Sequence, residues 1–400
     1  MASAGSRRVL IIVQNLPVPF DRRVWLEATT LRRAGYDVSV ICPKAKGFTR
    51  SYERLEDVHI HRYAIPIDAR GSLGFVAEFL WCFVRTLMKS VRVAVRGPGF
   101  DVIHACNPPE TYWLIGLLWR PFGKRFLFDH HDLSPEMYAV KFGKETGALF
   151  GGLMFLEQMT FRTADVVITT NESHQRVALE RGRMSPENVF IVRSGPDLKR
   201  LACHPPDAAW KKGKTHMLVY LGEMCVQDGV DYLIRAVAAL RDEMGRDDVH
   251  CVLVGGGPHQ PAMVEFAEAQ GVAGLCTFTG RVSDDDLCRI LSSADVAVDP
   301  DPKTPWSDKS TMNKIMEYMF FGLPIVAFDL AETRASALDA AVYAPANDHH
   351  EMARRIADLL DDGDRRASMA SYGQQRVRET LAWEYSEPPL LAAYDRMFGA

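Results

Sequence analysis

Short apolar runs alternate along this chain with longer stretches whose apolar residues recur at helical spacing. Val9–Val13 precedes a helical pattern over Arg23–Ala34 that stops at Gly35, and Val38–Cys42 follows. Val102–Ala105, Phe126–Asp129 and Val166–Thr170 repeat the theme, and Val189–Arg193 closes the first half. Polar stretches at 203–207 and 211–214 read as a linker. The pattern then restarts with Met217–Leu221, a helix over Val230–Arg241, and the runs Cys251–Val254, Cys276–Thr279, Val296–Val298 and Ile325–Phe328. Apolar runs this short, set between helical segments, are expected of parallel strands covered on both faces by helices. The spacing predicts an α/β chain of two doubly wound, Rossmann-like domains facing across a cleft. Their expected extents are residues 1–205 and 206–386, with a last helix at about 387–400 that packs back on the first domain. Ligands of such sheets bind beyond the carboxyl ends of the strands.

The densest pattern lies between Asp308 and Asp329. Met312, Ile315, Met316, Met319 and Phe320 give a helix an apolar face, Gly322 and Pro324 end it, and Ile325–Phe328 is a buried strand. Asn313 and Glu317 share the side away from that face. Ser310 or Thr311 is placed to cap the helix start, where free amides and the helix dipole favour an anion such as a diphosphate. The tip 309–314 and the carboxylate of Glu317 therefore suit a nucleotide, phosphates at the tip and ribose at Glu317. An ordinary sheet-packing helix with a Lys314–Glu317 surface pair is the alternative.

A second helix is predicted over Phe75–Arg96. Arg85, Lys89, Arg92 and Arg96 form one basic stripe beside an apolar stripe of Leu80, Val84, Leu87, Val91 and Val95. This is the expected build of a helix lying on an anionic membrane surface. A core helix with its basic edge in water would have the same pattern.

Composition narrows the classes. Of the 400 residues, 47% are hydrophobic and 24% charged, and the net charge of −4 gives no basic excess for nucleic acid. The eight cysteines form no C-x-x-C pair, which points to reduced thiols rather than a disulfide frame or zinc site. The start of the chain runs directly into Val9–Val13, too short for a signal-peptide core. A soluble, cytoplasmic protein is expected, peripheral on the inner face of the membrane if the basic helix docks there.

The order Leu221-Gly222, Val254–Pro258, Phe278–Arg281, Ala294-Asp295 and Glu317–Val326, with His131-Asp132 in the first half, resembles the retaining glycosyltransferases of family 4. The stretch Pro19–Glu27 is similar to a subgroup common in bacterial polysaccharide and glycoconjugate pathways. The resemblance covers essentially the whole chain. It implies the two-domain GT-B fold and transfer of a sugar from a nucleotide donor, a UDP-sugar first of all, to a hydroxyl acceptor, soluble or lipid-linked. It implies no metal and no cofactor. His131 then hydrogen-bonds the transferred sugar, as a better match than His130, and Glu317 holds the donor ribose.

The chain departs from the family pattern twice. The first acid of the usual Glu-x7-Glu pair is Lys309, with Asp308 beside it. The Arg and Lys that follow the glycine opening the second domain, and hold the diphosphate in relatives, are Glu223 and Asp228. Lys309, Lys314 and Arg281 gain weight as donor contacts, alongside Ser310, Thr311, Met312, Asn313, Gly222, Gly255 and Gly256. Asn15, Asp21, Arg22 and Asp132 are expected on the acceptor side, although Asp21 also reads as a helix cap. An epimerase of the same architecture, or a donor-binding protein that has lost transfer, are the other readings.

Overall fold

The structure, a computed structural model, describes residues 7–66 and 71–399. The first six residues, on which part of the leader reading rests, lie outside them. The chain divides into two compact units, one of Met1–Ala139, Gly143–Ser194 and Ser386–Ala400, the other of Val140–Phe142 and Gly195–Tyr385. Residues 195–205, read from the sequence as the end of the first domain, pack within the second unit.

The first unit holds strands β1 (Arg8–Ile12), β2 (Asp37–Pro43), β3 (Tyr52–Leu55), β4 (Val58–Tyr63), β5 (Val102–Cys106), β6 (Arg125–His130), β7 (Val166–Thr169) and β8 (Val189–Ile191). They form one sheet in the order β3-β4-β2-β1-β5-β6-β7-β8. Val9 pairs with Val38 on one side and Val102 on the other, so β1 is central, and Val9 to Ile12 are 0% exposed. All pairings are parallel except β3 with β4, a hairpin whose turn residues Glu56 and Asp57 both have positive φ. That hairpin was not legible as strands: β3 reads Tyr-Glu-Arg-Leu, and its two-residue turn lacks the Asn-Gly or Gly-Gly that usually marks one. The Glu387–Phe398 helix packs in this unit against β7, β8 and the Arg22–Arg33 helix, and Tyr394 OH lies 2.8 Å from His104 Nδ1.

The second unit holds β9 (His216–Leu221), β10 (Val249–Val254), β11 (Cys276–Gly280), β12 (Val296–Asp299), β13 (Ile325–Phe328) and β14 (Ala341–Ala344), all parallel, in the order β11-β10-β9-β12-β13-β14. Alternate residues feed two cores. Leu218, Tyr220, Cys251, Leu253, Val296 and Val298 enter one; Met217, Val219, Val252, Val254 and Ala297 enter the other. Strand order reverses between β9 and β12, so the carboxyl ends of those two strands open a crevice of the kind that takes ligands.

Candidate active site

In the second unit, the helix that follows β12 is Asn313–Phe320, with Ile315, Met316, Tyr318, Met319 and Phe320 buried. Tyr318 ties it to the crevice: its hydroxyl accepts from Leu221 N at 2.7 Å, at the end of β9. The expected cap is corrected. Met312 takes the N-cap position with no side-chain cap bond, because residues 307–309 make a separate 3-10 turn and Ser310 Oγ donates to Trp306 O instead. The first-turn amides are thus not taken up by a side-chain cap, which suits an anion better than a capped tip would.

Lys314 and Glu317 do not pair with each other. Lys314 Nζ lies 2.9 Å from Asp299 and 2.8 Å from Asp301, both carboxylates 1% exposed, and above the Tyr220 ring. Burial acts to lower Lys314, but the two carboxylates outweigh it and hold its titration well above the ordinary lysine value. Burial and Asp299 push the Asp301 carboxyl well up, with Lys314 opposing them. Lys314 is therefore an internal cation of the β12 end rather than a reserve for a diphosphate. Glu317, 8% exposed, receives Arg200 NH2 at 2.9 Å, and Arg200 NH1 lies 2.9 Å from Asp284. No sequence pattern marks Arg200, which sits in a segment without periodicity, 117 residues from its partner.

Lys309 ends the 3-10 turn, half-buried, four residues before the helix. Its neighbour Asp308 accepts from Ala331 N at 2.8 Å, so that acid serves the start of the next helix. The 222–229 loop carries no cation. Glu223 is exposed, and Asp228 accepts from Cys225 N at 2.8 Å within its own turn, its carboxyl pushed up by burial. Of the three glycines after β10, two are needed by the backbone. A Cβ on Gly255 would stand 1.9 Å from Gly222 O, and one on Gly257 2.5 Å from Met224 O. Gly256 meets nothing closer than 3.5 Å, so only it fits the expected approach to a ligand. Arg281 is exposed, beyond β11 at the edge of the sheet.

In the first unit, His131 follows β6. Its Nδ1 lies 2.8 Å from Asp129 Oδ2, and its amide and that of Asp132 both donate to Asn107 Oδ1. Asp129 also receives Arg23 in two bonds of 2.9 and 2.7 Å, and Arg23 lies 3.2 Å from Glu27. Burial acts to raise Asp129, but Arg23 and His131 outweigh it and hold the carboxyl well below the usual range. Burial acts to lower His131, and the charge and hydrogen bond of Asp129 outweigh it, so its titration is raised. With Nδ1 turned to Asp129, Nε2 is the nitrogen left to present a proton. His130 is 0% exposed among the Phe128, Phe161 and His174 rings, a core residue. Asp21 caps the Arg22–Arg33 helix by accepting from Val24 N, while Asn15 and Arg22 are exposed. Glu27, His104, Cys106 and Asp129 cluster closely enough for a metal, but the Arg23 guanidinium already places a cation against two of them. Arg23 was overlooked in the sequence, although its spacing of four from Glu27 was visible there.

The family model described as "Glycosyl transferase 4-like domain" matches residues 21–195, and "Glycosyl transferases group 1" matches residues 215–362. The chain belongs to the family 4 glycosyltransferases. Among its curated relatives is the D-inositol 3-phosphate glycosyltransferase of Salinispora tropica, 26% identical over 329 residues, or 75% of this chain. The chain spans 65% of that relative's length, just under two thirds. The phosphatidyl-myo-inositol mannosyltransferase of Mycolicibacterium smegmatis is 25% identical over 93% of this chain and 89% of that protein. Among solved structures, Anabaena HepE in complex with UDP superposes with a TM-score of 0.73 at 16% identity, covering 97% of this chain and 99% of that one. The fold of this glycosyltransferase is GT-B, two Rossmann-like α/β units.

Proposed function

We propose that this family 4 glycosyltransferase moves a sugar from a nucleotide donor, a UDP-sugar, to a hydroxyl acceptor with retention of configuration and without a metal, in glycoconjugate or polysaccharide synthesis. The observation that carries the reading is the uncapped Asn313 helix tip at the β9/β12 crevice, with Glu317 held ready by Arg200. In this reading the diphosphate sits at the tip, where amides and Lys309 meet the charge that develops on the leaving group. Glu317 accepts from the ribose hydroxyls. His131, protonated with the help of Asp129, donates from Nε2 to the transferred sugar. That HepE is described in complex with UDP supports a uridine donor.

The same reading puts the protein on the cytoplasmic face of a membrane as a peripheral enzyme, with a lipid-linked acceptor as the first candidate. No helix among the described residues is long and apolar enough to cross a membrane. The Gly71–Arg96 helix turns Val76, Leu80, Val84, Met88, Val91 and Val95 outward, each 42% exposed or more, and buries Cys82, Thr86, Ser90 and Val93 instead. The apolar stripe is thus not the core face of an ordinary helix, which favours a lipid surface.

The deciding experiment incubates the protein with UDP-sugars and with lipid-linked or soluble acceptors. Free UDP that forms only with an acceptor present, together with a glycosylated product, supports the proposal. A rearranged sugar still on its nucleotide, or donor binding without turnover, would overturn it.

A further inference from the structure

A cavity of about 520 Å3 opens between the β3–β4 hairpin and the carboxyl-terminal half of the Gly71–Arg96 helix. Lys89, Arg92 and Arg96 line it from the helix, and Tyr52, His59 and His61 from the hairpin. Gly97 and Pro98, also in its wall, lead into the amino end of β5, so the cavity lies toward the opposite edge of the sheet from His131. Among the described residues no carboxylate lines it; His59 Nε2 on its wall lies 3.8 Å from Asp37. Among the described residues, Lys89, Arg92 and Arg96 have no carboxylate within ion-pair distance, whereas Arg8, Arg23, Arg62, Arg181, Arg200 and Arg246 all have one.

The charges crowd one another. Burial, then Arg85 and Arg92, lower Lys89; burial, then Lys89, His59 and Arg92, bring His61 down to about 4. His61 Nε2 is buried with no hydrogen-bond partner among the described residues. Tyr52 packs on His61 and its hydroxyl lies 2.9 Å from His59 Nδ1, so both rings are held at the cavity wall. Three cations, two imidazoles and a tyrosine, with no acid among the described lining residues, have the donor chemistry of a phosphate site. What sets the source of the phosphate is the neighbouring face of the helix. Going round it, the exposed apolar sector of Leu80, Val84, Met88, Val91 and Val95 passes directly into the basic sector that walls the cavity.

We propose that this cavity takes the headgroup phosphate of an anionic phospholipid whose chains lie against the apolar sector of the same helix. The proposal rests on the membrane-docking reading above and adds a defined site to it. The site turns a diffuse attraction into a fixed orientation of the first unit on the bilayer.

The test is co-sedimentation of the full chain with phosphatidylcholine vesicles, with and without phosphatidylglycerol. Arg92 lines the cavity and Arg85 does not, although both lie on the basic stripe, so Arg92→Gln and Arg85→Gln remove the same charge. Loss of a surface attraction alone is expected at Arg85→Gln, about fivefold. Loss of charged hydrogen bonds as well is expected at Arg92→Gln, about fiftyfold or more. His61→Leu, which removes little charge, should weaken binding to phosphatidylglycerol vesicles by about fivefold. Equal losses at the two arginines would overturn the site and leave diffuse docking standing. Wild type that binds neither vesicle would overturn both. Glycerol 3-phosphate serves as the soluble probe: binding that Arg92→Gln abolishes, with vesicle binding unchanged, would assign the cavity to a free phosphate ester and overturn the lipid.

Discussion

Arg200 lies 2.9 Å from Glu317 through one guanidinium nitrogen and 2.9 Å from Asp284 through another. The two acids are not equivalent. The Glu317 side chain is 10% exposed and that of Asp284 53%, so the Arg200 charge offsets a larger cost of leaving water at Glu317 than at Asp284.

Arg200→Ala should therefore loosen the one carboxylate assigned to the ribose. UDP affinity is expected to fall by about 1.5 to 3 kcal/mol, the range for loss of a hydrogen bond to a charged group. Asp284→Ala should change it by less than about 1 kcal/mol, as for exposed pairs. Titration calorimetry with UDP checks both, and equal effects at the two positions would separate Glu317 from the donor.

The two lysines around the helix tip should behave in opposite ways. Lys314→Met removes the cation between Asp299 and Asp301 and leaves buried carboxylates unpaired, a loss of about 3 to 5 kcal/mol in folding stability. Chemical denaturation measures it. A variant as stable as wild type would mean that the trio does not hold the β12 end.

Lys309→Ala should cost much less stability than Lys314→Met, because Lys309 is half-buried at the end of a 3-10 turn and Lys314 is enclosed between two buried carboxylates. It should weaken UDP binding by about 1.5 to 3 kcal/mol, the range for hydrogen bonds to charged groups. Uridine, which lacks the phosphates, should bind as before. Equal losses for UDP and uridine would sink the assignment and return the diphosphate to the helix amides alone.

Much of this was legible in the sequence. The strand runs were apolar enough to place eleven strands, and the apolar face of the Asn313 helix was right because local periodicity sets it. The contacts that organise the site were not local. Nothing in the spacing of Lys314 says that it turns to Asp299 and Asp301 rather than to Glu317 one turn on. Arg200 and Arg23 meet partners 117 and 106 residues away, which no window sees. Periodicity also cannot tell an apolar stripe in a core from one in solvent, and Leu80 through Val95 needed the fold to decide.

The Asp129–His131 pair gives a pH dependence with a definite sign. His131 is raised above its ordinary value of 6.5, so the stability it contributes is fully present below about 6.5 and is lost as pH rises through the raised value. Asp129 is depressed below 3.8, so its contribution is present above that value and is lost only as pH falls through the depressed one. If His131 donates as an imidazolium, turnover should fall along a basic limb set above 6.5. His131→Gln should abolish the limb and lower turnover about 100-fold or more, with donor affinity little changed. Asp129→Asn should move the limb downward. A limb unmoved by either variant would assign it to another group.

The exposed stripe of the Gly71–Arg96 helix permits a test that separates apolar docking from charge. Leu80, Val84 and Met88 are 62%, 42% and 57% exposed, so replacing all three with serine opens no cavity, and folding stability should change by less than about 1 kcal/mol. On a bilayer the same change removes side chains worth about 1.5 to 3 kcal/mol each when fully buried, and less at an interface. Binding to vesicles should therefore weaken by roughly 2 to 5 kcal/mol, and the loss should persist at high salt. Reversing Arg85, Lys89 and Arg92 should also weaken binding to anionic vesicles, but that effect should shrink as salt screens the surface. The two variants thus have opposite salt signatures. Unchanged vesicle binding by the serine variant would mean that the apolar stripe does not meet lipid.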